Sequence, residues 1–461
     1  MISDAVLTAM LPEHLLLLGI VLLIGLEIAG RWQRFSLGVA LVVVGAAAFA
    51  AARLSFDGYA AAPFAGQFSV DPGTLLAKAM VLALALPVLL MSRDEFADGE
   101  FAILLLSSLY GVCLLQSADS FLTLFLGLEL MSLPVYALVL LAYRRPQSAE
   151  AALKYLVLGG TATATFLMGA SLLYGATGSM AIDSFAHAVG SSDPMARAAV
   201  VLVLLAFFLK AAIVPFHTWA PDAYEGASVP VTAYMATIVK AGVLLAVVRL
   251  FGKATVASPL LEVLAVLPLA SIVWGNLAAM RQPSLRRMIA YSSIAHAGYL
   301  FYALLGNASG RLQAVTFYLL AYGLLNLLAF AALPAAADDQ ARDRLDNLKG
   351  LFHRAPFAAL LIGIAMLSLA GLPPFPGFIA KFLIFKNVMA AGHTTYAVLG
   401  LVGSYLGIYF YLRVIQFMFM SPDATAAAAT KARRLALGAS LVCLAAAMLV
   451  SVFPGWVIAR F

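Results

Sequence analysis

Runs of mostly apolar residues recur along the whole chain, separated by short polar connections. A helix of about 20 residues crosses the bilayer core, and only helices and closed barrels satisfy their backbone polar groups there. Hydrophobic residues make up 64% of the chain and charged residues 11%, and no polar stretch is long enough for a soluble domain. The pattern therefore predicts an all-α membrane protein, with residues 1–461 forming a single integral membrane domain.

The apolar runs predict about fourteen transmembrane helices of bilayer-crossing length. Their approximate bounds are 15–30, 36–54, 74–92, 101–118, 121–142, 149–175, 197–216, 229–251, 259–280, 288–306, 312–334, 355–391, 396–420 and 432–457. The first run follows Asp4 and Glu13 rather than a basic segment, and no small-residue cleavage site follows it, so we expect a retained helix. Helices 1–3 thus occupy 1–100, and helix 14 occupies 432–457.

Lysine and arginine are distributed unequally between the connections. Cytoplasmic loops of membrane proteins carry an excess of both. The connections after odd-numbered spans contain most of them, including Arg31, Arg34, Arg144, Arg145, Arg281, Arg286, Arg287, Arg342, Arg344, Lys431, Arg433 and Arg434. We therefore expect both termini on the periplasmic side. The net charge of +6 then requires no nucleic-acid partner.

Three predicted helices contain breaks. The run 355–391 is too long for one straight crossing, because roughly 36 residues at 1.5 Å each reach about 54 Å. Gly371, Pro373 and Pro374 predict a break there, since proline lacks an amide donor and crowds the carbonyl four residues earlier. Pro215 predicts a break in the seventh span, and Pro134 predicts another in the fifth.

The breaks indicate an internal repeat. Helices 4–8 (101–251) and helices 9–13 (259–420) each form a five-helix block whose fourth helix, helix 7 or 12, has a lysine beside its break. Because five is odd, the blocks are predicted to be inverted. Inverted repeats with paired discontinuous helices are typical of ion-coupled transporters. The alternative is that prolines are simply common in membrane helices.

Five charged residues within the predicted spans are expected to be buried: Glu129, Lys154, Lys210, Lys240 and Lys381. Each charge at the bilayer centre costs roughly 2.5–3.5 kcal/mol, so five would cost about 12–17 kcal/mol. Such a total indicates a functional role. A lysine is the expected partner of Glu129, and the sequence leaves Lys154 and Lys210 as alternatives.

The deep cations are lysines, which can release and regain a proton, whereas arginine cannot. They therefore predict a proton path. His296 could bridge Lys240 and Lys381 through its two ring nitrogens, although it could equally be a packing residue. Charges near span ends are expected to reach the interface instead; among them are Lys78 and Arg249.

Other kinds of site find little support. His217, Trp219, Asp222 and Glu225 follow the seventh span and predict either a proton entry or, preferably, a structural loop. No nucleotide-binding glycine loop, HExxH motif or Cys/His cluster occurs. Cys113 and Cys443 lie far apart in apolar runs and predict core residues. We therefore expect no metal, no cofactor and no bond chemistry in this chain.

Several motifs together resemble one family. They are Phe-Leu-Gly-Leu-Glu129-Leu-Met-Ser-Leu-Pro134, Glu150-Ala-Ala-Leu-Lys154-Tyr, the stretch from Lys210 to Gly226, Tyr291-Ser-Ser-Ile-Ala-His296, and the Ala370 to Lys381 segment. Nearly end to end, the chain resembles the antiporter-like membrane subunits of proton-pumping NADH:quinone oxidoreductase, or respiratory complex I, and within them the N-type.

The resemblance implies that Glu129, Lys154, Lys210, Lys240, His296 and Lys381 form the family's polar axis. It implies partners in the membrane arm of a bacterial inner-membrane complex, including a second antiporter-like subunit and small hydrophobic subunits, with lipid around them. NADH, flavin, iron–sulfur clusters and quinone would be bound by other subunits. A long lateral helix is not expected after the last span.

Two other functions remain open from the sequence. The chain could be a subunit of a cation/proton antiporter or a membrane-bound hydrogenase, which share this fold, or a scaffold whose charges serve assembly. Genes for NADH-binding and iron–sulfur subunits beside this one would favour the respiratory enzyme. Charge variants that assemble but fail to pump would exclude the scaffold.

Overall fold

The structure is a computed structural model that describes residues 4–30, 35–93, 95–96, 99–142, 146–252, 254, 260–334, 343–421 and 433–460. Some of the basic residues that predict the orientation lie outside this part of the chain: Arg31, Arg34, Arg144, Arg145, Arg342 and Lys431. The orientation therefore stays a prediction.

The chain divides into two compact units within what the sequence predicts as one membrane domain. The first comprises Met1–Ala211 and Ile238–Leu261, with Phe461, and the second comprises Ala212–Thr237 and Glu262–Arg460. Each unit is described by itself.

The first unit contains long apolar helices and one small β-hairpin. Its helices are α1 (Asp4–Ala9), α2 (Leu11–Ala29), α3 (Ser36–Phe56), α4 (Pro72–Ser92), α5 (Glu100–Gln116), α6 (Phe121–Leu140), α7 (Pro146–Thr177), α8 (Asp183–Val189), α9 (Pro194–Ala211) and the carboxyl-terminal part of α11 (Val229–Phe251). Helix α4 begins with a capping box in which the Asp71 side chain accepts from the backbone of Thr74.

Strands β1 (Ala61–Phe64) and β2 (Phe68–Val70) pair antiparallel. Gly66 lies in the turn between them with a φ of 73°, a conformation that glycine adopts without strain. Phe68 and Val70 are buried against Ala9 and Leu75. The sequence interpretation of an all-α chain missed this hairpin, because its strands are too short to show a pattern.

The second unit contains the remaining helices. They are α10 (Trp219–Gly226), the beginning of α11, α12 (Leu260–Ala279), α13 (Leu285–Tyr302), α14 (Ala308–Ala331), α15 (Leu345–Leu348), α16 (Leu351–Arg354), α17 (Pro356–Ala370), α18 (Pro376–Ala390), α19 (Thr394–Phe419), α20 (Arg434–Val452) and α21 (Pro454–Ile458). The segment from His217 to Glu225, predicted to be a loop, is therefore largely helical.

Among the described residues, 12 helices are long and apolar enough to cross a membrane. The shorter helices α5 and α17 lie where two further spans are predicted. The count of fourteen and the inverted repeat stay predictions.

Two helices stop where breaks are predicted. Helix α9 ends at Ala211, and residues 212–218 are not helical before α10 begins. Helix α17 ends at Ala370, Gly371 has a φ of 88°, and α18 begins at Pro376. Each break therefore lies beside a lysine, Lys210 or Lys381.

The break predicted at Pro134 is wrong, because α6 is continuous from Phe121 to Leu140. Close packing supports the helix at this point. A Cβ on Gly111 would lie 2.2 Å from the backbone nitrogen of Met131, so α5 touches the α6 backbone directly. Ser108 Oγ also donates to the Met131 carbonyl at 2.8 Å. Neighbouring helices and hydroxyl groups can accommodate a proline within a membrane helix in this way.

Helix α11 contains an irregularity that the sequence does not predict. Residues Met235–Val239 form a π-helical segment directly before Lys240. Single π turns are rare and occur frequently at functional sites.

Candidate functional site

Glu129 and Lys210 form an ion pair in the first unit. Lys210 Nζ lies 3.6 Å from Glu129 Oε1, and the two side chains are 5% and 22% exposed. Helix α6 carries Glu129, and Lys210 lies in the last turn of α9. The contact joins two of the predicted pathway residues across two helices.

Hydroxyl groups complete the surroundings of this pair. Lys210 Nζ donates to Ser132 Oγ at 3.0 Å and to the Tyr136 hydroxyl at 3.3 Å. Thr163 Oγ1 on α7 donates to Glu129 Oε1 at 2.5 Å. A Cβ on Gly159 would lie 1.9 Å from the Tyr136 hydroxyl oxygen, so only glycine permits this approach. The lysine therefore has three oxygen partners, of which one is a carboxylate.

Lys154 forms an ion pair with a glutamate of its own helix. Its Nζ lies 2.7 Å from Glu150 Oε1, one turn earlier on α7, and the two side chains are 44% and 66% exposed. Of the two lysines that the sequence leaves as alternatives, the structure shows Lys210 paired with Glu129. Lys154 remains a pathway residue only as a prediction.

Lys240 is buried in the first unit, with 7% of the residue exposed. It begins the regular α-helical part of α11 after the π segment. Two residues later, a Cβ on Gly242 would lie 3.2 Å from Met131 Sδ, so this part of α11 packs closely on α6. The step predicted between Lys240 and His296 stays a prediction.

His296 forms the centre of a polar cluster in the second unit, with 4% of the residue exposed. Its Nδ1 lies 2.7 Å from the Tyr318 hydroxyl and its Nε2 lies 3.1 Å from the Tyr411 hydroxyl. Ser292 Oγ lies 2.5 Å from the same Tyr411 hydroxyl. Both ring nitrogens thus have a hydroxyl partner, an arrangement in which a proton can arrive at one nitrogen and leave from the other.

Lys381 lies in the first turns of α18 and is 7% exposed. Its Nζ donates to the Ala370 carbonyl and to Ser404 Oγ, both at 3.0 Å. The break leaves the last carbonyls of α17 without intrahelical amide partners. The Lys381 ammonium therefore donates to a carbonyl at the end of α17 in place of the missing amide.

Tyr299 connects His296 with Lys381. Its ring centroid lies 5.5 Å from that of His296, and Lys381 Nζ lies 5.3 Å from the Tyr299 ring centroid. Asn276 Nδ2 donates to the Tyr299 hydroxyl at 3.1 Å and fixes the ring. A small cavity lies between the histidine and α18, lined by His296, Tyr318, Tyr322, Leu325, Leu369, Gly377 and Ala380.

The hydroxyl partners were not predicted from the sequence, although helix spacing could have indicated several of them. Ser132 and Tyr136 follow Glu129 by three and seven residues, and therefore share its face of α6. Ser292 precedes His296 by four residues and Tyr299 follows it by three. No such spacing leads to Thr163, Tyr318, Tyr411 or Ser404, since they lie on other helices.

Two cations predicted to reach the interface are instead held inside the protein. Lys78 is 0% exposed and pairs with Glu13 on α2. Arg249 donates to Asp119 Oδ1 at 2.6 Å and to the Ala118 carbonyl at 3.0 Å. Helix α1 and the hairpin pack over the end of the bundle where these cations lie. They therefore occupy the space in which the prediction placed interfacial water.

Polar contacts in the second unit hold its connections together. Arg286 forms a buried bidentate pair with Asp343, and its Nη1 donates to the Ala227 carbonyl at 2.6 Å. Arg287 Nη1 lies 3.0 Å from Asp222 and 2.8 Å from Glu225 on α10. These contacts favour the structural interpretation of Asp222 and Glu225.

Comparison with known families gives a match over most of the chain. A family model described as NADH:quinone oxidoreductase/Mrp antiporter, TM, matches residues 118–407. A protein of Pelobacter propionicus named NADH-quinone oxidoreductase subunit N is 40% identical over 416 residues, which cover 90% of this chain and 89% of that protein. A protein of Desulfovibrio desulfuricans with the same name is 38% identical over 446 residues, covering 90% and 88%.

Solved structures show the same fold. A chain of respiratory complex I from Thermus thermophilus has a TM-score of 0.83 at 37% identity, with 97% of this chain and 98% of that chain covered. A chain of the Mrp complex from Dietzia sp. DQ12-45-1b has a TM-score of 0.81 at 23% identity, with 98% and 96% covered. The second likeness is evidence of fold alone.

Proposed function

Because the chain belongs to the NADH:quinone oxidoreductase/Mrp antiporter family of membrane subunits, we propose that it is the proton-translocating N subunit of the membrane arm of NADH:quinone oxidoreductase. It moves protons across the membrane while other subunits transfer electrons from NADH to quinone. NADH, flavin, iron–sulfur clusters and quinone are bound by those subunits, and this chain performs no redox step.

The arrangement of Lys210 and Lys381 carries the proposal. Each is a buried lysine at a helix break, held by oxygen atoms that accept hydrogen bonds. A membrane-embedded ionisable residue of this kind is by default a functional one. The surrounding hydroxyl groups of Ser132, Tyr136 and Ser404 can both donate and accept, so they can remain bonded when the lysine changes its charge.

In the first unit, the Glu129 carboxylate stabilises the positive charge of Lys210 at 3.6 Å. A disturbance that draws Glu129 away, or protonates it, removes this stabilisation, and the ammonium then releases a proton toward neutral Lys240, the next residue of the proposed path. In the second unit, His296 takes up a proton at one ring nitrogen and releases one from the other, and Lys381 is the next acceptor. Each step moves one proton and breaks no other covalent bond.

We further propose that the protein lies in the inner membrane of a bacterium with both termini periplasmic, as the basic connections predict. Its partners are a second antiporter-like subunit and small hydrophobic subunits of the membrane arm. Exposed apolar side chains such as Val42, Phe49 and Tyr405 are consistent with contact to lipid or to such subunits.

Alanine substitution of the lysines tests the proposal. Lys210→Ala and Lys381→Ala should lower NADH-driven proton pumping by roughly 100-fold, the scale on which one positioned proton-transfer group acts. Pumping is measured in inverted membrane vesicles with a pH-sensitive dye, alongside the amount of assembled complex. Lys386→Ala is the matched control, because Lys386 is an exposed lysine on the same helix α18. Normal pumping in both alanine variants would disprove the relay.

A cation/proton antiporter subunit is the second candidate. The relatives at 40% and 38% identity are named subunit N, whereas the Mrp chain shares only 23% identity, so the respiratory enzyme is favoured. Affinity purification of the tagged chain from its own cells separates the two. Co-purification of NADH dehydrogenase activity is expected, and its absence from an intact complex would favour the antiporter.

A further inference from the structure

The first unit contains a second buried ion pair, which the proposed proton path does not use. Lys78 Nζ on α4 lies 2.5 Å from Glu13 Oε1 on α2, and the two side chains are 0% and 1% exposed. The Phe68 ring of the hairpin covers the ammonium, with its centroid 4.9 Å from Nζ. Both charges are thus removed from bulk water beneath β2.

One face of α5 lies beside the Glu13–Lys78 ion pair. Tyr110, Cys113 and Ser117 follow one another at spacings of three and four residues and therefore share a face. Helix α5 packs against α2 and α4, the helices that carry Glu13 and Lys78. The Ser117 carbonyl accepts from the backbone amide of Ser69, next to Phe68. The end of α5 therefore meets the ion pair under the hairpin.

Four buried polar atoms of this cluster have no hydrogen-bond partner among the residues that the structure describes. They are Glu13 Oε2, both amide atoms of Gln116 and Ser117 Oγ. Gln116 is 3% exposed and Ser117 is 0% exposed. Nearly all buried polar atoms in proteins are bonded either to protein or to ordered water, so these four atoms, on residues of helices that pack together, point to a ligand.

We propose that Glu13, Lys78, Gln116 and Ser117 line a binding site for ordered water at this end of the first unit. Water fits the donors and acceptors, since it can donate to Glu13 Oε2 and Gln116 Oε1 and accept from Gln116 Nε2. A buried water makes two to four such bonds. A metal cation does not fit, because the Lys78 ammonium already occupies the positive position beside the carboxylate.

The water molecules solvate the ion pair and thereby keep it charged within an otherwise apolar bundle. They also bridge α2, α4 and α5. The site is independent of the proposed proton path, since none of its residues touches Glu129 or Lys210 through a contact described above.

Hydroxyl-radical labelling by X-ray radiolysis in ¹⁸O water tests the site in the intact purified complex. Radicals form from bound water, so a buried side chain beside ordered water is labelled, whereas an equally buried side chain in a dry core is not. Cys113 and Phe68 are the reporters, and the matched controls are Cys443 and Phe166, which are both fully buried. The reporters should be labelled about tenfold faster than the controls, since a dry apolar core excludes water. Equal labelling of reporters and controls would overturn the proposal.

Substitutions sharpen the test. Gln116→Leu removes two of the four polar atoms without changing charge, and it should lower labelling of Cys113 toward the rate of Cys443. Glu13→Leu combined with Lys78→Met should abolish the difference entirely. If that double variant fails to assemble, the intact complex and Gln116→Leu still decide the question. Unchanged labelling in an assembled Gln116→Leu variant contradicts the site.

Discussion

Tyr136, Thr163, Tyr318 and Tyr411 place hydroxyl groups on the proposed pathway residues of both units. Thr163 bonds Glu129, Tyr136 bonds Lys210, and the two other tyrosines bond the opposite nitrogens of His296. A hydroxyl group can reverse its role from donor to acceptor, whereas a carboxylate or an ammonium cannot. Function in each unit should therefore be sensitive to the loss of single hydroxyl groups.

Thr163→Val removes the hydroxyl that donates to Glu129 and preserves the shape of the side chain. A hydrogen bond to a charged group is worth about 1.5–3 kcal/mol, so we expect proton pumping per NADH to fall by roughly tenfold. The control is Thr165→Val, since Thr165 bonds only the Thr161 carbonyl in its own helix among the contacts described. Equal pumping in the two variants would show that Thr163 does not tune the pair.

Tyr318→Phe and Tyr411→Phe each remove one hydroxyl partner of His296. If the histidine relays protons, each change should slow pumping by up to about tenfold, since an ordinary hydrogen bond is worth about 0.5–1.5 kcal/mol, while the assembled complex persists. If the histidine only packs, pumping should stay normal. Tyr405→Phe is the control, because Tyr405 lies on the same helix as Tyr411 but is 63% exposed. Pumping is measured with NADH-energised inverted vesicles.

Helix α17 depends on Gly371 at its carboxyl end. The φ of 88° strains any residue with a side chain, and a Cβ there would lie 3.0 Å from Lys381 Cδ. Gly371→Ala should therefore destabilise the break by about 1–2 kcal/mol and displace Lys381. We expect lower pumping and a lower thermal midpoint of the complex.

The control for this change is Gly363→Ala in the middle of α17. No atom lies within 4 Å of a Cβ at that position, and alanine favours a helix over glycine by about 1 kcal/mol. The control should keep wild-type pumping and an equal or higher midpoint. A Gly371→Ala variant that behaves like the control would show that the left-handed residue does not position Lys381.

Local chemistry explains which elements the sequence predicts well. Apolar runs and the proline-containing breaks at 212–218 and 371–375 are visible in the sequence because they follow from hydropathy and from missing amide donors. The break predicted at Pro134 was wrong because α5 supports the helix there, and this close approach is a tertiary contact that the local sequence does not show. The π segment before Lys240, the hairpin, and the Glu13 partner of Lys78 likewise depend on packing between distant residues.

Across the second unit, the Arg286–Asp343 pair ties the beginning of α13 to the connection after α14. It is accompanied by backbone bonds from Leu285 to the Asp343 carbonyl and from Leu345 to the Pro283 carbonyl. The pair is 1% and 0% exposed. Removing one partner of a buried pair leaves the other charge uncompensated and costs about 3–5 kcal/mol.

Arg286→Met should therefore reduce the amount of assembled complex and lower its thermal midpoint by several degrees. Arg344→Met is the matched control, because Arg344 is the residue next to Asp343. The Arg344–Asp346 contact is 3.7 Å long and exposed. An exposed pair contributes about 0–1 kcal/mol, so the control should assemble normally. Equal assembly of both variants, judged by native gels and calorimetry, would show that the Arg286–Asp343 pair does not stabilise the second unit.

The bond between Lys381 and the Ala370 carbonyl gives the two lysines at the helix breaks different kinds of counter-charge. The carboxyl end of α17 carries roughly half a negative charge from its aligned peptide dipoles, and that charge does not titrate. Lys210 faces Glu129, whose charge a single proton can cancel. Protonation of Glu129 can therefore control when Lys210 releases a proton. Lys381 lies in a constant field, so its release of a proton depends only on the arrival of another.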